Sequence, residues 1–144
     1  DNATGLSFPR VNAFAAVSAT PYLSKLGSLI PNSVITFNIN AIQDTGLLYF
    51  LVLSTANTPG IPLGGGRVIP LYIDPLLFPI SLQSPQSIGL QNSAGTINTN
   101  GNQAALYIPN VPGVQNVDIY AAFVTADISQ PVPIIQTVSN SIKL

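Results

Sequence analysis

One short stretch of the sequence contains residue types that could do chemistry. Residues 42–50 read IQDTGLLYF, and they include one copy of Asp44-Thr45-Gly46, the triplet that aspartic proteases use as a catalytic loop. Such an enzyme needs two carboxylates that share one proton, from two copies of the triplet or from a homodimer. The triplet is also typical of a turn before a strand, because Asp accepts local N–H groups and Gly supplies a positive φ. We predict that Asp44 is a turn residue and that the protein is not an enzyme.

The residues that the sequence lacks narrow the chemistry further. It has no His, Cys, Met or Trp, so the usual zinc ligands, a thiolate nucleophile and the commonest general base are absent. Calcium sites use clustered carboxylates, whereas the five acidic residues are isolated in the sequence. We therefore predict no catalytic residues, no metal and no cofactor. The acidic residues are Asp1, Asp44, Asp74, Asp118 and Asp127.

Charge is the most unusual feature of the composition. The 144 residues include 6% charged and 47% hydrophobic residues, against about 25% charged in an ordinary soluble domain. A chain of this length can bury a core, so its surface must consist of Asn, Gln, Ser, Thr and apolar groups. A net charge of -1 gives copies of the protein little mutual repulsion. The composition therefore favours self-association into a homopolymer.

The same composition bears on the other partners and on the location. Four basic residues, Arg10, Lys25, Arg67 and Lys143, are spread along the chain, which argues against nucleic-acid binding. No apolar run approaches the roughly 20 residues of a membrane helix, so we expect no membrane span. The sequence begins at Asp1 and is poor in charge. We expect an exported protein, extracellular or at the cell surface, whose signal has been removed.

Proline and glycine divide the chain into short runs that predict strands. Thirteen Pro and eleven Gly are scattered throughout, which excludes long helices. The fold class that we predict is all-β, an antiparallel β-sandwich of about seven to nine strands with Greek-key connections. Asn100-Gly101 predicts a two-residue hairpin turn with positive φ at both positions, and residues 24–32 could form a short helical turn. The predicted strands are 11–19, 33–40, 46–55, 67–73, 76–82, 94–98, 103–108, 117–126 and 135–143.

Two of the predicted strands are apolar on both faces. They are GLLYFLVLS at 46–54 and VDIYAAFVTA at 117–126, although a strand of a two-layer sandwich should have one polar face. One interpretation is that long loops of the same chain cover their outer faces, and the other is that a second copy covers them. In the second case, the assembly interface includes Tyr49, Leu51, Tyr120 and Phe123.

The N-terminal segment 1–20 is a second candidate for assembly. In 11–19, the small residues Val11, Ala13, Ala15 and Val17 share one face of an alternating pattern, which suits a strand lying in a narrow groove. We predict an N-terminal extension at 1–20 that adds a strand to a neighbouring subunit, followed by a single sandwich domain at 21–144. The alternative is that 11–19 is the first strand of its own sheet.

From residue 21 onward, the order of several short motifs resembles a known family. The motifs are LGSLIPNSVITFNI, GLLYFLVLSTANTPGIPLGGG, GTINTNGNQAALYIP, VDIYAAFVTAD and VSNSIKL. Together they resemble a β-domain of exported proteins from planctomycetes and some other bacteria, which often stands at the C-terminus of large surface or secreted proteins. The resemblance implies an exported β-sandwich of unassigned function. It transfers no catalytic residues.

These observations lead to two functional hypotheses. The first is a structural subunit of an extracellular assembly, such as a filament or a surface layer, held by apolar burial and strand addition. The alternative is a non-catalytic adhesive or glycan-binding module of a larger surface protein, with a polysaccharide or the cell envelope as partner. Sugar sites expose aromatic rings, whereas Tyr49, Tyr72, Tyr107 and Tyr120 lie inside predicted strand runs. We expect those four rings to pack in the core.

Overall fold

The structure is built mainly from short antiparallel β-strands. It is a computed structural model that describes residues 21–64, 66–129, 131–132 and 134–144, so the predicted strand 11–19 lies outside the described residues. Within them are eleven strands, one α-helix and three short 3-10 helices. The strands are β1 (Tyr22–Leu26), β2 (Val34–Asn40), β3 (Leu48–Ser54), β4 (Ile61–Gly64), β5 (Arg67–Ile69), β6 (Leu90–Gln91), β7 (Ala94–Thr96), β8 (Asn102–Tyr107), β9 (Tyr120–Asp127), β10 (Ile134–Val138) and β11 (Ile142–Lys143).

Two antiparallel sheets pack around the main core. Sheet A has the strand order β1-β2-β8-β6, and sheet B has the order β10-β9-β3-β7, with β11 also paired to β9. In β2, alternate residues face the core, and Ile35, Phe37 and Ile39 are fully buried. They belong to the same buried cluster as Leu53 of β3 and Ala121 of β9. The predicted all-β sandwich is confirmed.

The outer faces of β3 and β9 are covered by other parts of the same chain. Helix α1 (Leu77–Gln83) packs on β3, and a second buried cluster joins sheet B to the β4–β5 hairpin and to the residues that follow it. This arrangement matches the interpretation in which the chain covers its own two-faced strands. The second cluster consists of Val52, Ile69, Leu71, Ala122 and Val124.

The burial of three residues on β3 and β9 contradicts the prediction that they form an assembly interface. Tyr49, Leu51 and Phe123 are 3%, 1% and 0% exposed, because all three side chains lie in the main core between the two sheets. They are not available to a second copy of the folded domain. Tyr120 is half-buried and packs against the second cluster.

The predicted strand at 76–82 is wrong, since this stretch contains helix α1. Asp74 initiates the helix, because its Oδ1 accepts the backbone N–H groups of Leu76 at 2.9 Å and Leu77 at 2.6 Å. A carboxylate that accepts the first N–H groups of a helix is a standard start signal. Pro79 lies in the first turn, where its missing N–H breaks no bond. An apolar run of this length does not by itself distinguish a helix from a strand.

Two local predictions are also wrong. Residues 24–32 contain no helix: residues 24–26 belong to β1, which pairs with β2, and residues 27–32 form bends and a turn. The segment at Asn100-Gly101 connects β7 of sheet B to β8 of sheet A instead of closing a hairpin. The turn was predicted to have positive φ at both residues, but only Gly101 does, with a φ of +85°. Asn100 is not among the described non-glycine residues with positive φ, which are Asn32 and Asn92. The Gly101 N–H donates to the Asn98 carbonyl at 3.0 Å, and this hydrogen bond closes the turn.

Helix α1 is the only α-helix among the described residues. None of the helices in that part of the chain is long and apolar enough to cross a membrane.

Candidate functional site

Asp44 lies in a turn, as predicted. A 3-10 helix, Ile42–Asp44, comes just before β3. Asp44 N–H donates to the Ala41 carbonyl at 2.8 Å, and the Asp44 carbonyl accepts from Leu47 N–H at 2.9 Å. Gly46 has a φ of +94°, which a residue with a Cβ rarely adopts. The triplet therefore supplies the sharp entry into β3.

The carboxylate of Asp44 makes long-range contacts, which the turn prediction missed. Its Oδ2 accepts the hydroxyl of Thr125 on β9 at 2.8 Å and the hydroxyl of Thr137 on β10 at 2.5 Å. The side chain is only 6% exposed, so these hydrogen bonds replace those that water would make. Asp44 ties the start of β3 to two strands of sheet B. This is a stabilising arrangement around a single carboxylate.

The other described aspartates also have structural partners. Asp118 forms an exposed ion pair with Lys143 at 3.1 Å, and Asp127 accepts both the hydroxyl and the N–H of Ser129. Asp74 holds the start of α1. No group of three or more potential metal-ligating residues occurs in the part of the chain that the structure describes.

Burial and hydrogen bonding act in opposite directions on Asp74. The residue is 2% exposed, and burial alone would raise its pKa. The backbone N–H groups of Leu76, Leu77 and Thr55 donate to its carboxylate and outweigh burial, so the pKa lies below its ordinary value. The ionised form is therefore the one that holds α1.

A groove lined by side-chain amides is formed by residues of β1, β2 and β8 in sheet A, Tyr49 of β3, and the two loops that flank β7. It has a volume of about 760 Å³, and we call it the amide groove. Its lining contains six asparagines together with Gln103, Tyr22, Tyr49, Ser24 and Gly101, and none of these residues is charged. The asparagines are Asn38, Asn40, Asn92, Asn98, Asn100 and Asn102.

Strand alternation brings one wall of the amide groove together. The pairing of β1, β2 and β8 places Ser24, Asn38 and Gln103 in one row, with Tyr22 opposite Asn40 in the next. Their neighbours in sequence face the core, and successive side chains of a strand point to opposite faces. Gln103 Nε2 donates to Asn38 Oδ1 at 3.0 Å across the strands.

The turn at 98–101 forms the second wall. Asn102 fixes this turn, because its Oδ1 accepts from Asn98 N–H and its Nδ2 donates to the Thr96 carbonyl, both at 2.9 Å. Gly101 lies so close to β2 that a Cβ there would be 2.9 Å from Asn40 Oδ1. Among the hydrogen bonds between described residues, none involves the side-chain amides of Asn40, Asn92, Asn98 and Asn100.

Two tyrosines contribute to the amide groove in different ways. Tyr49 is a buried lining residue: its hydroxyl donates to the Asn92 carbonyl at 2.8 Å, and burial raises its pKa. Tyr22 is 50% exposed and presents its ring to the groove. The prediction that strand tyrosines are core residues holds for Tyr49 but is wrong for Tyr72 and Tyr107, which are 42% and 53% exposed.

Of the described site residues named from the sequence, Tyr49 lines this groove, whereas Leu51, Tyr120 and Phe123 do not. Val11, Ala13, Ala15 and Val17 lie outside the described residues. The groove residues were missed because single asparagines on strands carry no motif. One pattern in the sequence could have indicated them. Asn38 and Asn40 alternate with the apolar residues of β2 and so point away from the core, and an Asn-rich turn follows at 98–101.

Comparisons with known proteins do not add a family to this description. No protein-family model matches the chain, and no curated protein matches it. The resemblance to an exported bacterial β-domain therefore stays a prediction. The residues that line the amide groove are therefore the observation that bears on function.

Proposed function

We propose that the protein is a non-catalytic module that binds a neutral polysaccharide in the amide groove. The observation that carries this proposal is the set of described residues that line the groove, which provides an exposed tyrosine ring, no charged side chain and seven side-chain amides (Asn38, Asn40, Asn92, Asn98, Asn100, Asn102 and Gln103). An amide group offers both donors and acceptors, and sugar hydroxyls need both. The ring of Tyr22, half-exposed at the groove, can stack on the apolar face of a sugar.

The absence of charge in the lining favours a neutral ligand over an acidic one. Acidic glycans are held best by Arg and Lys, which make charge-assisted hydrogen bonds. The three basic residues that the structure describes are used elsewhere. Lys25 Nζ donates to the Gly27 carbonyl, Arg67 donates to two carbonyls of β10, and Lys143 pairs with Asp118.

The same lining supports binding without hydrolysis. Most glycoside hydrolases use two carboxylates placed on either side of the scissile bond, and the described residues that line the amide groove include no carboxylate. We therefore propose a binding module of an exported protein, acting at the cell surface or outside the cell.

Retention on polysaccharides tests this function. Dextran, mannan, β-1,3-glucan, cellulose and chitin serve as neutral probes, and alginate serves as the acidic one. We expect at least one neutral probe to retain the protein, with retention lost in Asn40→Ala/Asn100→Ala. The matched control is Asn110→Ala/Asn116→Ala, which changes two exposed asparagines outside the groove. Retention by alginate alone, or equal retention of both double variants, would contradict the proposal.

A structural subunit of a filament or surface layer is the second candidate. Apolar side chains around α1 favour it, since Ile73 and Leu76 are 56% and 66% exposed in a chain with 6% charged residues. Exposed apolar groups of this kind often belong to protein interfaces. Light scattering on the purified protein separates the candidates: a subunit forms large particles without any glycan, whereas a module stays monomeric.

A further inference from the structure

We propose that the ligand is an extended glycan chain that runs beyond the amide groove, along the outer face of sheet A, to Tyr107. This inference rests on the proposed function and specifies the form of its ligand. It assigns a second contact region to Leu26, Val34 and Tyr107, which we call the distal patch. All three residues are exposed, at 67%, 45% and 53%.

The strand register places the two exposed tyrosines of sheet A on one face. Tyr22 is opposite Asn40 at one end of β2, and Tyr107 is opposite Val34 at its other end. Six residues of strand separate Asn40 from Val34, which corresponds to about 20 Å. The two rings also lie on either side of β2, about 10 Å apart across the sheet. The rings therefore mark the two ends of a diagonal path across three strands.

Among the described residues, the strand positions between the two rings carry no charged side chain on this face. The path crosses the hydrogen-bonded pair Asn38 and Gln103, then Thr36 and Ala105, which are opposite each other in β2 and β8. Lys25 of β1 is opposite the buried Phe37 and so falls on the core side of the alternation. An unbranched neutral chain can lie on such a surface without leaving a charged group unpaired.

A short sugar cannot use both ends of this path. A mono- or disaccharide in the amide groove reaches Tyr22 but not a ring about 20 Å away. A longer chain contacts both rings, the side chain of Val34 opposite Tyr107, and the exposed side chain of Leu26, which lies across β2 from Tyr107. Because the second contact is then made within one complex, its contribution multiplies the affinity. The geometry therefore predicts an affinity that grows with chain length.

Calorimetric titration with oligosaccharides of different lengths tests the distal patch. The probes are the disaccharides and hexasaccharides of the cello-, laminari-, manno- and chito- series. In Tyr107→Ala, we expect the affinity for the hexasaccharide that binds to fall about fivefold, as one aromatic contact is lost. Its affinity for the disaccharide should not change. Tyr22→Ala should weaken both, and Tyr72→Ala, which changes an exposed tyrosine outside sheet A, should weaken neither.

The outcomes separate the distal patch from the amide groove. If Tyr107→Ala binds the hexasaccharide as the unchanged protein does while Tyr22→Ala does not, the distal patch is wrong and the groove stands. If the unchanged protein binds none of the probes, both proposals fail. If Tyr107→Ala instead turns a dimer into a monomer, the distal patch contacts a second copy, and the extended-chain ligand is wrong.

Discussion

The side-chain amide of Asn140 pairs with both backbone groups of Leu23 at the outer edge of β1. Asn140 Oδ1 accepts Leu23 N–H at 2.8 Å, and Asn140 Nδ2 donates to the Leu23 carbonyl at 3.1 Å. Unpaired backbone groups at a sheet edge are a template for pairing with another chain. Asn140 thus occupies the place that an added strand would take. Its neighbour Ser139 is bonded to the backbone of Phe123 in sheet B, so this segment joins the two sheets.

The first prediction concerns this edge. Asn140→Ala should lower the free energy of unfolding by about 1–2 kcal/mol, because two hydrogen bonds are lost. It should also increase self-association, because the edge of β1 is opened. Urea unfolding measures the first effect, and light scattering over a range of protein concentrations measures the second. Asn110→Ala is the matched control. An Asn140→Ala variant that stays monomeric at every concentration would show that the opened edge accepts no strand.

The second prediction concerns the buried carboxylate of Asp44. Asp44→Ala should cost about 2–3 kcal/mol of stability, because the hydroxyls of Thr125 and Thr137 lose their shared buried acceptor. Asp44→Asn keeps an oxygen that can accept from both hydroxyls, so its cost should be smaller. Urea unfolding ranks the variants, and Asp118→Ala, at an exposed ion pair, should match the unchanged protein. A pepstatin-sensitive peptidase activity lost in Asp44→Asn would instead support catalysis.

Sequence patterns predicted the strands better than the contacts between them. Alternation in β2 and the apolar runs of β3 and β9 were sufficient to predict these strands, because burial on one or both faces determines the residue pattern. The partners of Asp44 could not be predicted, since they lie 81 and 93 residues away. The alternation of β2 was sufficient to predict that its asparagines face outward. Their contact with the 98–101 turn could not be predicted, because it depends on how the chain passes from β7 in sheet B to β8 in sheet A.

At 77–83, hydrophobic periodicity does not distinguish a helix from a strand, whereas the residue that accepts the first N–H groups does. Its apolar residues also fit a strand, and the scattered Pro and Gly residues exclude only long helices. The signal that a helix begins there is Asp74, whose carboxylate accepts the backbone N–H groups of Leu76 and Leu77. Because the Asp74 carboxylate accepts the first N–H groups of this short helix, α1 should be sensitive to replacement of Asp74.

The third prediction follows from the lowered pKa of Asp74. Burial raises this pKa, but the backbone hydrogen bonds outweigh burial and hold it below its ordinary value. The stabilisation by the ionised carboxylate is complete above the ordinary Asp pKa of about 3.9, and it is lost as the pH falls through the lower folded-state value. Asp74→Asn should be less stable at pH 7 by about 1 kcal/mol. The gap between the variant and the unchanged protein should narrow toward pH 3, as measured by urea unfolding at each pH. A gap that stays constant with pH would show that ionisation of Asp74 does not contribute.

The last prediction uses two glycines with the same backbone conformation. Gly101 and Gly113 both have a φ of +85°, but a Cβ at Gly101 would lie 2.9 Å from Asn40 Oδ1, whereas a Cβ at Gly113 would meet nothing within 4 Å. Gly→Ala at either position should cost about 1 kcal/mol through backbone strain. Gly101→Ala should additionally displace the amide of Asn40 and reduce retention on the neutral polysaccharide that binds the unchanged protein. Gly113→Ala should keep that retention, so it controls for the loss of stability. Equal retention by the two variants would show that the contact between the 98–101 turn and Asn40 does not shape the binding site.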